Sequence, residues 1–214
     1  MYNTHTVYVN TVMFSYTSGR ITVILERFDE NHNSLWRLPT SPVISTSTSL
    51  SALETHLHTH TGVKASEVAY QEQLYTTEFL LDSVNAVCIS YIHIAHETSW
   101  HKGKAHIGLF PLDTLPKLSD QDQAVLSYGI DRLRAKAIYT NILALLLPVP
   151  FSLAVFQDAY ETITGTKVDR RNFRKKITGL NFLNKADLSR KAQANEAQLY
   201  VPKQSSLQIL ERPL

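Results

Sequence analysis

The chain has 214 residues, of which 43% are apolar and 19% are charged, with seven glycines and eight prolines. This composition excludes a collagen-like, low-complexity or mainly disordered protein. The net charge of +2 is divided unequally: residues 1–116 carry six Lys/Arg and ten Asp/Glu (net −4), whereas residues 117–214 carry 15 and nine (net +6). The division indicates a basic module joined to an acidic one, and nucleic acid is the first partner to consider for the basic part.

Cysteine content and hydropathy limit the cellular context. The single cysteine, Cys88, excludes an intramolecular disulfide and a thiolate zinc cluster. The longest apolar run, 142–151, spans about ten residues and contains two prolines, whereas a transmembrane helix needs about 20 apolar residues. The first ten residues lack the basic and apolar regions of a signal peptide. We therefore expect a cytoplasmic protein without a membrane partner.

The first half of the chain has the pattern of a mixed domain. Two runs rich in β-branched and aromatic residues, Thr6–Tyr16 and Ile21–Phe28, flank a turn sequence and predict a β-hairpin, followed by a loop at 29–34. Leucines at helical spacing predict a helix over Leu50–His60, which ends at Gly62. Two further strands are predicted at Val84–Ile94 and Ile107–Leu112. These elements predict a mixed sheet with at least one helix.

After Pro116 the apolar period changes to that of a helix. Asp120 begins a stretch that predicts one long helix or two in series, joining two domains. Its expected apolar face consists of Val125, Leu126, Ile130, Leu133, Ala137 and Ile138. A shorter helix is expected to end at Leu147, directly before Pro148.

The last third of the chain has short elements with clear boundaries. Two helices are each bounded by an N-cap residue and a glycine: Leu153–Thr164 by Ser152 and Gly165, and Arg170–Thr178 by Asp169 and Gly179. The segments Asn181–Lys185 and Gln198–Lys203 can pair as strands around a polar loop. Helices followed by a β-ribbon are the element order of a winged helix.

The segment Phe151–Lys176, FSLAVFQDAYETITGTKVDRRNFRKK, resembles the C-terminal winged helix of the Nudix-related transcriptional regulators, the NrtR family. Residues 169–176 (DRRNFRKK) carry most of this resemblance, and 132–136 resembles that family's linker helix. The resemblance implies an α+β protein that binds operator DNA as a homodimer and senses a small-molecule effector. It implies an N-terminal Nudix-like domain with a mixed sheet at 1–116, a linker helix at 117–138, and a C-terminal winged helix-turn-helix domain at 139–214.

A Nudix box can be aligned without gaps but lacks its acids. Setting its end at Gly62 places residues 38–41 (LPTS) where the resembled family has Leu-Pro-Gly-Gly. The positions of the family's first acid, its Arg-Glu pair and its adjacent glutamates are occupied by Ser47, Thr55, His56, Thr59 and His60. Hydrolysis of a nucleoside diphosphate at such a site needs oxygen ligands that hold Mg²⁺. We therefore expect no enzymatic activity, no cofactor and no bound metal.

Histidines are concentrated in the same helix. His56, His58 and His60 form an H-x-H-x-H pattern, in which His56 and His60 share a face at a spacing that can bind Zn²⁺ or Ni²⁺. No acidic or cysteine cluster lies beside them in the sequence. An exposed polar helix face is therefore favoured over a metal site. His93 and His96 lie on opposite faces of their predicted strand, which argues against a shared metal.

Two residues before the degenerate box are candidates for effector binding. Trp36 and Arg37 stand where Nudix-like proteins often line the ligand pocket. Core packing for Trp36 and a solvated charge for Arg37 are the alternatives. Cys88 lies in an apolar strand pattern and is expected in the core.

Residues 169–191 carry eight Lys/Arg and two acids, a net charge of +6. In a helix, Phe173 and Ile177 would face the core while the cations project outward. Arginine and asparagine can read base edges, and lysine mostly neutralises phosphate. The candidates for base reading are Arg171, Asn172 and Lys175, and those for phosphate contact are Arg170, Arg174 and Lys176.

The expected wing departs from the resembled family. Ala194–Ala197 (ANEA) stands where that family usually has Gly-Arg-Pro-Ala, so a phosphate-contacting arginine is missing. Lys185, Arg190 and Lys191 can compensate from the same loop. Operator sequence is therefore not transferable from relatives.

Together with the resemblance, these patterns predict a sequence-specific DNA-binding regulator, a repressor. The resemblance implies a small-molecule effector such as ADP-ribose, another NAD-related metabolite or a sugar. The first alternative is a Nudix-fold hydrolase of a nucleoside diphosphate derivative, with a non-standard metal site built from Glu67 or Glu72 and the histidines. The second is an interaction module whose basic helix binds an acidic protein.

Overall fold

The computed structural model describes residues 6–30, 33–81, 84–96, 106–187 and 197–214. The helices in these ranges are α1 (Ser49–Thr61), α2 (Asp120–Tyr139), α3 (Ile142–Leu146), α4 (Leu153–Thr164) and α5 (Arg170–Gly179). The strands are β1 (Thr6–Thr17), β2 (Arg20–Glu30), β3 (Asn33–Arg37), β4 (Thr40–Pro42), β5 (Val68–Leu81), β6 (Val84–Ala95), β7 (Ile107–Pro111), β8 (Phe151–Ser152), β9 (Leu183–Lys185) and β10 (Leu199–Pro202). None of the helices described is both long and apolar enough to cross a membrane.

The first half is built on a mixed sheet. Within the described ranges, seven strands join in it; the main path is β3-β2-β1-β6-β5, with β4 beside β1 and β7 beside β2. The antiparallel pairing of β1 with β2 confirms the predicted hairpin, whose turn contains Ser18 and Gly19 at positive φ. β1 and β6 run parallel, and the predicted strands at Val84–Ile94 and Ile107–Leu112 are confirmed as β6 and β7.

Strand β1 has buried side chains on both faces of the sheet. Val9 and Met13 pack with Leu53 of α1, whereas Val12 and Phe14 belong to a second core that includes α2. The side chains separate in this way because successive residues of a strand point to opposite faces. The sheet is therefore covered by α1 on one face and by α2 on the other.

Two features of the sheet differ from the sequence-based expectation. The predicted loop at 29–34 is the tip of a second hairpin, because β2 continues to Glu30 and β3 begins at Asn33. Strand β5 was not predicted from the sequence. Polar residues at 71–73 and 76–78 interrupt its sequence, VAYQEQLYTTEFLL, and it pairs only with β6 among the described strands. An edge strand with polar side chains has no continuous apolar pattern to reveal it.

Helix α2 is one continuous helix that packs on the sheet. Gly129 lies so close to β1 that an added Cβ would stand 2.9 Å from a methyl group of Val12. Leu133 and Ala137 are buried, but Ile138 is 38% exposed, so its predicted place on the apolar face is wrong. At about 100° per residue, Ile138 lies far around the helix from the stripe centred on Leu133.

An ion-pair cluster connects α2 with β5. Glu72 pairs with Arg132 and with the Lys136 ammonium, 2.7 Å away, and it accepts a hydrogen bond from the Tyr70 hydroxyl. Burial by itself raises the pKa of Glu72, but the hydrogen bonds from Lys136 and Tyr70 outweigh it and leave this pKa below its ordinary value. The linker helix is thus attached to the sheet by both apolar packing and charge.

The C-terminal elements form a winged helix. The predicted strand pair is confirmed as β9 and β10, and β8 joins them in a sheet of order β8-β10-β9. Helix α4 has the expected caps, Ser152 and Gly165. Helix α5 includes Gly179, and Asn181, at a φ of 53°, takes the left-handed conformation after it; the predicted stop at Gly179 is therefore wrong by one residue.

The C-terminal segment returns to the junction between α2 and α3. Ile209 forms a β-bridge with Thr140, and Leu210 N–H donates to the carbonyl of Tyr139 at 2.8 Å. The Tyr160 hydroxyl of α4 donates to the carbonyl of Leu214. The segment thereby ties the linker helix to the winged helix.

Candidate nucleic-acid interface and effector pocket

Helix α5 has one buried and one exposed face. The Asp169 carboxylate accepts a hydrogen bond from Asn172 N–H at 2.8 Å and caps the helix, as expected. Phe173 and Ile177 are buried, and the Phe173 ring packs against Tyr160 of α4 with 5.1 Å between centroids. Arg171, Asn172 and Lys175 therefore lie on the exposed side of the helix.

The candidate DNA-contacting side chains differ in exposure. Arg170, Arg171, Asn172 and Lys175 are exposed, whereas Arg174 and Lys176 are half-buried at the flanks of α5. Lys185 is exposed on β9. Arg190 and Lys191 lie outside the described residues, as do positions 194–196 of the altered wing. The outer face of α5 thus carries the three residues expected to read bases.

A further cation joins this surface from the C-terminal segment. Arg212 lines a groove of about 870 Å³ together with Asn172, Lys175 and Lys176. Sequence reasoning missed Arg212, because it is an isolated cation 36 residues beyond Lys176. Only the return of the C-terminal segment, through the bridge at Ile209, brings it there.

A buried acid holds the turn that leads into α5. Glu161 of α4 accepts hydrogen bonds from Gln157 Nε2 (2.9 Å), the Val168 N–H (3.2 Å) and the Lys167 ammonium. The ammonium of Lys167, with the other two donors, lowers the pKa of Glu161 from 4.5 to about 2. Glu161 therefore holds the turn more strongly when it is ionised than when it is protonated.

We expect the stability supplied by Glu161 to depend on pH. The folded-state pKa lies below the unfolded value, so this stability is present above about pH 4.5 and is lost as the pH falls towards 2. Urea unfolding of the wild type and Glu161→Gln should show the largest difference at neutral pH and a vanishing difference near pH 2. A difference that stays constant over this range would contradict the assigned role.

Trp36 and Arg37 lie on one pocket of about 470 Å³. The other lining residues come from the sheet and from the start of α2: Tyr8, Asn10, Leu35, Thr40, Phe79, Cys88, Ser119, Gln121 and Asp122. The Trp36 ring also packs edge-on against Phe110, with 4.8 Å between centroids. Burial raises the pKa of Asp122, although the Ser119 hydroxyl and Arg37 favour its charged form. The pocket therefore joins the candidate effector residues to the linker helix.

The degenerate Nudix-box positions lie together on a second groove. Ser47, Thr55, His56, Thr59 and His60 all line this groove of about 340 Å³ beside α1. On its floor His56 Nε2 lies 2.7 Å from Oε2 of the buried Glu26. Donor atoms of Glu26, His56 and His60 lie within 4.8 Å of one another. The favoured interpretation, an exposed polar helix face, is therefore wrong for His56, whose side chain is 10% exposed and contacts Glu26 of β2, 30 residues earlier.

This set of side chains does not fit the Mg²⁺ that the Nudix resemblance implies. Magnesium requires about six oxygen ligands, whereas the cluster in the described structure offers one carboxylate and two imidazoles. Glu67 and Glu72 do not take part, since Glu67 accepts from the Lys64 N–H and Glu72 pairs with Arg132 and Lys136.

Two further candidates, His93 and Cys88, are buried side chains of β6. His93 is fully buried, with its Nδ1 2.8 Å from the Thr11 hydroxyl, and burial lowers its pKa to about 4. Cys88 is buried as expected, and desolvation raises the pKa of its thiol to about 11. A neutral thiol is a poor nucleophile.

Comparison with known proteins identifies the type of the C-terminal domain. Residues 143–201 match the family model of the NrtR DNA-binding winged helix domain. This NrtR-type domain contains α4, the capped helix α5 and the strands of the wing. No curated protein sequence matches the chain.

Solved structures show the fold of the whole chain. Shewanella oneidensis NrtR complexed with a 27mer DNA is 22% identical, with a TM-score of 0.81 over 97% of this chain and 99% of that one. A MutT/nudix family protein from Enterococcus faecalis is 16% identical, with a TM-score of 0.73 over 95% and 90% of the two chains. The NUDIX domain of Shewanella oneidensis NrtR, complexed with ADP ribose, is 19% identical, with a TM-score of 0.52 over 62% and 90%. The chain therefore has a Nudix fold followed by an NrtR-type winged helix.

Proposed function

We propose that the protein is a sequence-specific DNA-binding transcriptional regulator that acts in the cytoplasm as a repressor. Residues 1–116 form a non-catalytic, Nudix-like effector domain, 117–138 a linker helix and 139–214 the DNA-binding domain. The observation that carries the proposal is the outer face of α5, where exposed cations stand on the helix that a winged helix inserts into the major groove.

We assign each candidate side chain to base or phosphate contacts according to its position and exposure on α5 and the wing. Arg171, Asn172 and Lys175 point away from the core and read base edges, while the residues at the helix start and flanks contact phosphates. The phosphate contacts are assigned to Arg170, Arg174, Lys176, Lys185, Arg190 and Lys191. The complex of Shewanella oneidensis NrtR with a 27mer DNA supports DNA as the partner. A homodimer would place two such helices on the two halves of an operator.

The effector binds in the pocket of Trp36 and Arg37. The aromatic walls suit a nucleobase or a sugar face, Arg37 suits a phosphate, and Asp122 suits sugar hydroxyls. ADP-ribose, another NAD-related metabolite or a sugar has these groups, and the ADP ribose complex of the Shewanella oneidensis NUDIX domain supports this ligand class. Trp36 and Arg37 have structural contacts as well, so they orient the ligand from fixed positions.

Coupling between the two sites runs through α2. Gln121 and Asp122 line the effector pocket in the first turn of α2, and its last turns pack beside α4 and the C-terminal segment. An effector changes DNA affinity only if it binds one arrangement of these parts better than another. A displacement of α2 on ligand binding would alter the spacing of the two recognition helices in the dimer.

The proposal is tested by fluorescence anisotropy with a labelled duplex from the gene's own upstream region and a scrambled duplex as control. If about six phosphates are neutralised, log K falls with log salt at a slope near −5, and the native duplex binds more tightly by orders of magnitude. Candidate effectors are then added to the preformed complex, and release of the duplex is expected. Equal affinity for both duplexes would contradict sequence-specific regulation, and absence of binding at low salt would contradict DNA binding altogether.

A hydrolase is the alternative function, favoured by the cluster of Glu26 with His56 and His60. It predicts metal-dependent turnover of a nucleoside diphosphate derivative that is lost in His60→Ala. Absence of turnover with Mg²⁺, Mn²⁺ or Zn²⁺ would exclude it.

A further inference from the structure

Two histidines and a carboxylate converge at the groove beside α1. His56 and His60 lie one helical turn apart, with stacked rings and 4.1 Å between centroids. Glu26 reaches the same point from β2, and one donor atom of each residue lies within 4.8 Å of the other two. In a tetrahedral site with bonds of about 2.0–2.2 Å, neighbouring donor atoms lie about 3.3–3.6 Å apart. Small side-chain rotations are therefore enough to bring these donors to one ion.

The carboxylate of Glu26 is held in the orientation that such a site needs. Its Oε1 accepts hydrogen bonds from Arg37 Nε at 2.9 Å and from the Thr40 N–H at 3.2 Å, so Oε2 is left facing His56. Hydrogen bonds from outer residues to a ligating carboxylate are a regular part of metal sites in proteins.

The nitrogen and oxygen donors of these side chains indicate which class of metal ion can bind. Two imidazoles and one carboxylate suit Zn²⁺ and its neighbours Co²⁺ and Ni²⁺, whereas Mg²⁺ prefers oxygen ligands throughout. Three protein ligands also leave a coordination position open, which is the pattern of non-structural zinc sites. The open side here is the groove of about 340 Å³, which is lined with the hydroxyls of Ser47, Thr55 and Thr59.

From this geometry we propose that Glu26, His56 and His60 bind one divalent transition-metal ion of the zinc class, with an open coordination position facing the groove. Helix α1, which carries the degenerate Nudix-box positions, would thereby bind a nitrogen-preferring metal where the resembled family implies magnesium. The alternative is that no metal binds and that the hydrogen bond between Glu26 and His56 connects β2 with α1. The inference does not depend on the proposed regulatory function, because binding of the ion is measured in the absence of DNA and effector.

The test is a titration of the full chain, with any purification tag removed and with metal stripped by a chelator. Zn²⁺ is added in competition with a chromophoric chelator, and Co²⁺ is added separately because its visible absorption reports coordination by nitrogen and oxygen donors. We expect one ion per chain, and a large excess of Mg²⁺ should not displace it.

His60→Ala is the informative variant, because it removes a ligand and leaves the Glu26–His56 hydrogen bond in place. Zn²⁺ affinity should fall by about 100-fold or more, since loss of even an outer-shell partner costs about 10–100-fold. His58→Ala is the matched control: it removes an exposed histidine two residues away on another face of α1, and affinity should change by less than about twofold. Circular dichroism and thermal unfolding in chelator verify that both variants fold.

Three results would overturn the proposal. The first is a folded wild type that does not bind Zn²⁺ at micromolar concentration. The second is equal weakening by His58→Ala and His60→Ala, which would indicate scattered surface histidines. The third is retention of the Co²⁺ spectrum in His60→Ala, which would place the ion elsewhere.

Discussion

Replacement of Arg171 by alanine is expected to weaken binding to the native operator by about 10- to 100-fold. Arg171 is exposed on the outer face of α5, opposite the buried Phe173 and Ile177. An arginine that contacts a guanine edge in two places contributes about 1–3 kcal/mol of discrimination. Anisotropy at one fixed salt concentration measures this loss against both the native and the scrambled duplex.

Comparing the affinity losses of different variants for the two duplexes separates the contribution of base contacts from that of overall charge. Arg171→Ala should reduce the preference for the native duplex, whereas Lys176→Ala should weaken both duplexes alike and reduce the salt slope by about one. Lys64→Ala removes the same charge from an exposed position in the Nudix-like domain and serves as the control. Equal losses for Arg171→Ala and Lys64→Ala would show that only overall charge matters.

Phe156→Ala is expected to lower the free energy of unfolding by about 3–5 kcal/mol. Phe156 is fully buried at the centre of the winged helix, where its ring lies within 5.8–6.2 Å of the rings of Phe151, Phe173 and Phe182. The cavity left by truncation borders β8, α5 and the segment between α5 and β9, which cannot all collapse into it. Denaturant unfolding monitored by circular dichroism measures the loss.

The matched control is Ile209→Ala. Ile209 is 79% exposed, so its truncation should change the free energy of unfolding by less than about 0.5 kcal/mol. If Phe156→Ala cost no more than this control, the aromatic cluster would not be the core that positions α5. Because Phe173 of α5 packs against Phe156, we also expect Phe156→Ala to weaken operator binding.

Patterns within short stretches of the sequence were enough to predict several helices, strands and turns. The first hairpin, the caps at Ser152 and Asp169, and the amphipathic pattern of α5 each arise within a span of a few residues. Hydrogen bonds of turns and caps, and the alternation of apolar side chains, act over that range. The winged helix and its resemblance to NrtR regulators were therefore readable from the sequence.

Tertiary structure alone decided which distant side chains meet. Glu26 joins His56, Asp122 joins the pocket of Trp36, and Arg212 joins the surface of α5 because sheet pairing and helix packing bring together residues 30 or more positions apart. No local sequence pattern predicts these long-range contacts, because they depend on the register of β2, the packing of α2 on the sheet and the path of the C-terminal segment. By itself the sequence therefore determined the first hairpin, the capped helices α4 and α5 and the basic face of α5. The structure decided strand β5, the pocket of Trp36 and Arg37, and the cluster of Glu26 with His56 and His60.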